Sequence, residues 1–579
     1  MHTPDPTTIS AALSQAGVAT SLDEAAKLGV VCRVAAADAR TALVTLKDGE
    51  LAFDFMVDLF GIDTGEAIDA VYHLRSFSRD EDVYVKVAHA YDADLASIWD
   101  VFPAALMPER ELAEMYGLTL SGHPNPKRLL TTDGCPPFLR KEIAIRGEEE
   151  VRHRERQVIS PEALKRTVSS LEPGTPAPVG AAPALELQSG IAAPSAVQPT
   201  QLPAGLHRAP TGVDELQTER LVLAMGPQHP STHGVLRINL EIDGEEVIGG
   251  EMVIGYLHRG IEKLAENRRF NHLSTLMDRG DYLASLHAEL AASMATEQLL
   301  EVEVPRRANW LRVLTGELSR IASHIVWYGP NGLDAGSMGP FLYVFRDREY
   351  LLDILEDISG ARMMFNYVRP GGVVNDITST AEAKIRKFLK YFNEHIEEND
   401  EILMGNEIFQ ARTQGLGHFS KESALAFGLT GGNLRASGFD FDLRRDRPYA
   451  AYDEMEFTVP VSDVGDAYAR CRVRLDEMRQ AARMIEQCID GLPEGDFTAK
   501  VPKILRPTAG EVYAAVESPR GELGVHMVAD GSDSPYRMRY RPPALYALQA
   551  GENILPGTLI ADAVVLLGSL DFVLGEIDR

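Results

Sequence analysis

Apolar and polar residues alternate along 51–59 (LAFDFMVDL) and 82–89 (DVYVKVAH), the period of a strand with one face buried, so two half-buried strands are predicted there. Segments 21–28 and 96–102 read as helical, and the first part of the chain is predicted to be a small α+β domain. Further along, 220–225 and 235–242 read as strands flanking GPQHPSTHG, a loop whose Pro and Gly residues forbid regular structure. This predicts a β-rich opening with a polar loop at its tip. The period then changes: Trp310, Leu311, Leu314, Leu318, Ile321 and Ile325 recur at three and four residues, as do Tyr468, Cys471, Leu475, Met478, Ala482 and Ile485. A helical bundle is therefore predicted at the centre of the second part, and the whole chain is classed as α+β.

Composition divides these two parts. From Pro173 to Pro210 the chain is rich in Pro, Ala, Gly and Gln, with Glu186 and Arg208 as its only charges, too little apolar surface to offset the entropy of ordering it. The expected organisation is a domain over 1–160, a flexible linker over 161–215 and a second domain over 216–579. A net charge of −28 opposes attraction to phosphate backbones, so nucleic acid is not an expected partner. The longest apolar run, 563–570, is bracketed by Asp562 and Asp571 and falls far short of a spanning helix. The start, MHTPDPTTIS, has neither a basic region with an apolar core nor Arg, so no secretory or transit leader is expected and the location is read as cytoplasmic. Cys32, Cys135, Cys471 and Cys488 are too far apart for a CxxC pair or a disulfide framework, and no metal ligation is expected from them.

Chemistry concentrates at Gly226-Pro227-Gln228-His229-Pro230-Ser231-Thr232-His233-Gly234, where two histidines sit in a loop stiffened enough to aim them. Composition alone favours a solvated hairpin, since histidines are frequent in polar loops as well as in sites. Further blocks follow in order: IGYLHRGIEKL, NHLSTLMDRGDY, LTGGNLRASGFDFDLR, ESPRGELG and the terminal LDFVLGEIDR. With GPQHPSTHGVLR they closely resemble the 49-kilodalton-type subunit of respiratory complex I, and the resemblance covers nearly all of the second part. The first part separately resembles the 30-kilodalton-type subunit, through Glu109-Arg110-Glu111, Tyr116-Gly117-Leu118, Gly122-His123-Pro124, Lys127-Arg128 and Pro137-Phe138-Leu139-Arg140-Lys141. The chain thus resembles a fused C/D subunit of a bacterial NADH:quinone oxidoreductase.

The larger subunit of that family is similar to the large subunit of nickel-iron hydrogenases, which implies the fold of the bundle and raises a rival chemistry. Such a centre needs four thiolates from two CxxC pairs. Segment 281–287 reads DYLASLH and Asp571 is followed by Phe572, so neither pair is present and hydrogen chemistry is excluded.

The resemblance implies that this cavity receives a quinone headgroup, ubiquinone or menaquinone, with His233 and Tyr282 hydrogen-bonded to its two oxygens. Imidazole and phenol suit that role, since a two-electron-reduced quinone is basic enough to take their protons. The resemblance pairs Asp334 with the headgroup His, which would orient the imidazole and favour its charged form. On its own, Asp334 at a Gly-Pro-rich break after the Trp310 helix reads as a cap or turn residue. Electrons must come from an iron-sulfur cluster on a partner, because this chain has no cysteine cluster to ligate one. Arg259 and Arg279 match family arginines that face the cluster, and Met364 stands where many relatives carry His. A thioether cannot titrate, so a low, nearly pH-independent cluster potential is expected, one that suits a low-potential acceptor such as menaquinone.

The implied protein is a peripheral subunit on the cytoplasmic side of the bacterial inner membrane, active only in the assembled complex. Its implied partners are the cluster-bearing and other peripheral-arm subunits, and membrane-arm subunits at the quinone chamber. Glu109-Arg110-Glu111 and His123-Pro124 form no catalytic constellation and are read as docking residues. Two alternatives stay open: the same role in a ferredoxin- or deazaflavin-dependent relative, and a non-catalytic scaffold, which the retention of His233, Tyr282 and Asp334 disfavours.

Overall fold

The first part builds one sheet. Helix α1 (Pro6–Gln15) begins at Asp5, whose carboxylate accepts the Thr7 N–H at 2.9 Å. After it come β1 (Thr20–Asp23), β2 (Val30–Val34), α2 (Ala39–Asp48), β3 (Phe55–Asp63), β4 (Ile68–Ser76), β5 (Glu81–His89) and α3 (Leu106–Tyr116). The strand order is β1-β2-β5-β4-β3, with only β2 and β5 parallel. The computed structural model describes residues 4–23, 27–143, 220–228 and 234–579, and the linker expected at 161–215 lies outside them.

Both helices expected in this part are corrected. At 21–28 the chain instead enters β1, because antiparallel pairing of Thr20 to Val34 outweighs local preference. At 96–102 a short strand, Asp94–Ala96, leads into a turn; Pro103 disfavours helix in the residue before it, so α3 starts only beyond it.

The two expected strands are present, but they are not half-buried. β3 is buried throughout, and β5 is buried from Asp82 to Val87 and again at His89, because helices cover one face of the sheet and the second part covers the other. Asp58, Asp82 and Lys86 of the alternating pattern are thus internal ion partners, while Asp54 is exposed.

The second part opens with an antiparallel sheet of β6 (Arg220–Met225), β7 (Arg237–Asp243) and β8 (Glu246–Val253); the third strand was not foreseen. Next come α4 (Ile261–Glu266), α5 (Ser285–Leu300), α6 (Arg306–Asp334), α7 (Met338–Ser359), α8 (Ser379–Asn399) and α9 (Ala467–Gly491). Both predicted apolar stripes lie on single helices, α6 and α9, which pack together in the main core. The break expected before Asp334 is corrected: α6 runs through Pro330 to Asp334. A side chain at Gly329 would begin 3.1 Å from Phe345, and one at Gly332 would begin 3.2 Å from Leu403, so glycine lets close neighbours hold this turn in place.

The core of the bundle carries bonded charge as well as apolar surface. His324 meets Glu477 at 2.9 Å, Glu477 meets Arg435 at 2.5 Å, and Arg444 bridges Asp442 at 2.7 Å and Glu317 at 3.2 Å. The chain closes with β9 (Gly510–Ser518), β10 (Gly521–Ala529), β11 (Arg537–Arg541), α10 (Pro543–Ile554), α11 (Ile560–Ser569) and α12 (Leu574–Ile577). Among the described residues no helix is long and apolar enough to cross a membrane.

The β9-β10-β11 sheet faces the first part, and the contact is ionic and buried. Arg75 binds Glu522 at 2.6 Å, Lys86 binds Glu511 at 2.5 Å, and Arg539 binds Asp58 at 2.9 Å and Glu111 at 2.5 Å. Of the residues read as docking groups, Glu111 alone makes these bonds. Glu109 instead accepts from Ile98 N at 2.7 Å, Arg110 donates to the Lys127 and Arg128 carbonyls at 2.8 Å, and a ring nitrogen of His123 lies 2.8 Å from the Leu106 carbonyl, all within the first part.

Candidate functional site

The 229–233 stretch, including His233, lies outside the described residues, but both ends of its loop are described. At one end Gly226 approaches Leu236 so closely that a Cβ would begin 2.0 Å from the Leu236 carbonyl oxygen. At the other, Gly234 sits against Leu574, where a Cβ would begin 3.0 Å from Cδ1. The next residue, Gly575, lies on the Tyr282 ring; its Cβ would be 2.9 Å from Cδ1 and Cε1. The chain's last helix therefore links the end of the histidine loop to Tyr282.

Tyr282 occupies the turn before α5. Its neighbour Asp281 organises that turn by accepting the Ala284 N–H at 3.2 Å, and it binds Arg520 Nη1 at 2.9 Å. Arg520 is delivered by the β9-β10 hairpin, in which Ser518 pairs with Gly521 and the turn is Pro519-Arg520. Gly521, at φ 125°, passes Thr430 so tightly that a Cβ would lie 2.4 Å from its hydroxyl oxygen, so glycine is required. Burial raises the phenol of Tyr282 above its ordinary pKa; Asp281 adds to the rise and Arg520 opposes it.

Asp334 is the last residue of α6, half-buried, and its carbonyl accepts Arg412 Nη1 at 2.9 Å. Trp327 on the same helix donates to the Gly568 carbonyl at 2.8 Å, so the end of α6 is seated on α11, the helix that leads into the 571–579 tail.

The three residues expected to face a cluster are all solvent-exposed. Met364 has φ 55° in a loop whose backbone N–H groups at Asn366, Tyr367 and Val368 all donate to Glu289, at 2.8, 2.7 and 2.7 Å. Glu289 also hydrogen-bonds Asp278, the residue before Arg279. Burial raises both carboxyls, and the hydrogen bond and charge of Asp278 raise Glu289 further. One buried pair thus joins the segments carrying Arg279 and Met364. Arg259 lies on a separate loop clamped by Asp578, whose oxygens accept Gly255 N and Leu257 N at 2.8 Å. The adjacent His258 has Nδ1 2.8 Å from the Asp578 carbonyl oxygen.

Residue-by-residue reading missed the groups behind Tyr282: Asp281, Arg520, Arg474, Asp571 and Glu576. Most were visible in the DRGDY, ESPRGELG and LDFVLGEIDR blocks, but only the fold shows that those distant blocks meet.

The 30 kDa subunit family of respiratory-chain NADH dehydrogenase matches residues 32–149, and the 49 kDa subunit family matches 334–509 and 504–579. One of the NADH-quinone oxidoreductase D subunits of Solibacter usitatus is 46% identical over 364 residues, 63% of this chain and 98% of that protein. The chain belongs to the D-type family of NADH-quinone oxidoreductase subunits. The D-type relative from Carboxydothermus hydrogenoformans is 47% identical over 363 residues, 63% of this chain and all of that protein. The one from Geobacillus kaustophilus is 45% identical over 364 residues, 63% of this chain and 99% of that protein. As a D-type family member that also carries a 30 kDa-type segment, the chain fits a fused C/D subunit of an oxidoreductase complex.

Proposed function

We propose that this chain forms the quinone headgroup pocket of a proton-translocating NADH:quinone oxidoreductase and protonates the reduced quinone. The observation that carries this reading is the contact chain Gly234–Leu574, Gly575–Tyr282, which draws the end of the histidine loop towards a phenol backed by Asp281 and Arg520. His233 and Tyr282 hold the two quinone oxygens, and each gives a proton as electrons arrive. Asp334 orients His233 and is left as an uncompensated anion when that proton is given, a charge whose relaxation drives pumping in the membrane arm.

The electrons come from an iron-sulfur cluster in a neighbouring subunit. Exposure of Arg259, Arg279 and Met364 supports a partner surface there. The chain works as two segments, 1–160 and 216–579, joined by the 161–215 linker, on the cytoplasmic side of the membrane beside peripheral-arm and membrane-arm subunits. NADH as donor follows the names of the relatives, and ubiquinone and menaquinone both suit the pocket chemistry.

Quinone reduction by the intact complex carrying His233→Ala or Tyr282→Phe tests the assignment. Each loses a proton donor and is expected to slow by roughly 100-fold or more. Wild-type rates in both would remove the site. Asp334→Asn is expected to abolish coupled turnover, measured as proton uptake in vesicles, and unaltered pumping would refute its role.

A further inference from the structure

The end of α6 is closed by a side chain from elsewhere in the chain. Past its last turn, the carbonyls of Asn331, Gly332 and Leu333 accept the N–H groups of Ala335, Ser337 and Gly336 at 3.2, 2.8 and 2.9 Å. The Asp334 carbonyl accepts Arg412 Nη1 at 2.9 Å. A guanidinium suits this place, because the last carbonyls of a helix lack helical donors and carry partial negative charge.

The same guanidinium reaches α11. Its Nη2 donates to the Ala561 carbonyl at 2.7 Å and lies 3.3 Å from Asp562 Oδ1. Arg412 is itself set in place by a short helix, Glu407–Thr413. The cap of that helix, Asn406, accepts Ile408 N and Phe409 N at 2.9 and 3.1 Å, and its Gln410 donates to the Met404 carbonyl at 2.7 Å.

This bridge is the second tie between α6 and α11. The first is Trp327, which donates to the Gly568 carbonyl at 2.8 Å. The tied positions are seven residues apart on each helix and run in opposite order, so the helices are antiparallel with ties about two turns, roughly 10 Å, apart. Two ties at equal spacing stop one helix sliding along the other. At its far end α11 is held by Arg470, which donates to Ser569 Oγ at 3.0 and 2.8 Å, and the chain then enters the tail that places Leu574 on Gly234 and Gly575 on the Tyr282 ring.

We propose that Arg412 is a positioning residue for quinone reduction, holding Asp334 in register with the tail that packs on Tyr282. The inference rests on the proposed roles of Asp334 and Tyr282 at the quinone. Asp334 orients His233 on one quinone oxygen and the tail fixes Tyr282 at the other, so the spacing of the two proton donors follows the register of α6 on α11. Arg412 meets neither donor. Its planar fork serves both carbonyls at once, which the single point of a Lys ammonium does not.

The test is Arg412→Ala in the intact complex, read as quinone-reductase kcat and KM and as protons pumped per quinone reduced in vesicles. We expect kcat to fall about 10-fold with KM within about twofold, part of what a displacement of about 1 Å costs at a reacting site. Protons pumped per quinone should also fall, since Asp334 is displaced. Arg412→Lys should be intermediate in both, and it carries the test should the Ala variant fail to assemble. Asp562→Ala, which removes only the half-exposed ion pair, should stay within about twofold of wild type.

Wild-type kcat in the assembled variant would overturn the proposal. So would a lower kcat at an unchanged proton ratio, which a general defect of folding gives, or a loss in Asp562→Ala as large as in Arg412→Ala. Asp334→Asn measured alongside separates the two levels. If Asp334→Asn is uncoupled and Arg412→Ala normal, the positioning role alone is wrong; if both are normal, the reading of Asp334 is wrong too.

Discussion

Two buried ion clusters lie at opposite ends of the 571–579 tail, and they are built differently. Where the first part meets the second, Asp58, Glu111 and Glu262 face Arg537, Arg539 and Arg579, three acids to three guanidiniums, and every member is bonded. Behind Tyr282, Asp281 and Asp571 pair with Arg520 and Arg474, Arg541 adds positive charge near Glu576, and neither oxygen of Glu576 has a hydrogen-bond partner. In the matched cluster burial works against ionisation, but Arg537, Arg539 and Arg579 hold Glu262 down to about 2; in the second burial wins and Glu576 rises. Bonded charge gives a lock, and a buried carboxyl without donors is driven towards its neutral form.

The largest expected effect breaks the lock. Arg539→Ala strands Asp58 in a buried site and leaves Glu111 to Arg579 alone, which costs about 3–5 kcal/mol. After proteolytic cleavage within the linker, the wild-type halves should co-elute while those of Arg539→Ala separate. Acid should do the same more gradually. Glu262 is lowered from 4.5 to about 2, so its stabilisation is fully present above about pH 4.5 and is lost as pH falls through about 2. Cleaved halves that part already at pH 5 would contradict the matched cluster.

Glu576 carries the opposite sign. Its folded pKa is raised, so the folded state holds a proton the unfolded chain releases, and stability falls as pH rises above the ordinary carboxylate range. Glu576→Gln should therefore stabilise the protein by about 1–3 kcal/mol at pH 8 and by less at pH 4, read from denaturant melts. The smallest effect concerns Met364. Met364→His should give the partner's cluster a potential that shifts by up to about 60 mV per pH unit between about pH 6 and 8, where the wild type is flat.

Much of this was legible in the chain. The apolar stripes of α6 and α9 and the β6 strand were read correctly because each is set by local periodicity. The burial of β3 and of nearly all of β5 was not, since Asp58 and Lys86 look like a solvent face until Arg539 and Glu511 arrive from more than 400 residues away. The continuous α6 was missed because Pro330 is a helix breaker by rule, and only packing at Gly329 and Gly332 overrides it. For the site, Tyr282 and the Asp281-Arg520 support came from blocks whose order could be read but whose meeting could not. The roles of His233 and Asp334 follow from resemblance and chemistry.

The most direct measurement is steady-state quinone reduction by the intact complex carrying Tyr282→Phe, with kcat and KM determined across pH. Loss of a proton donor predicts kcat lower by roughly 100-fold with KM little changed. A kcat equal to the wild type at every pH would contradict the claim that this chain protonates the quinone.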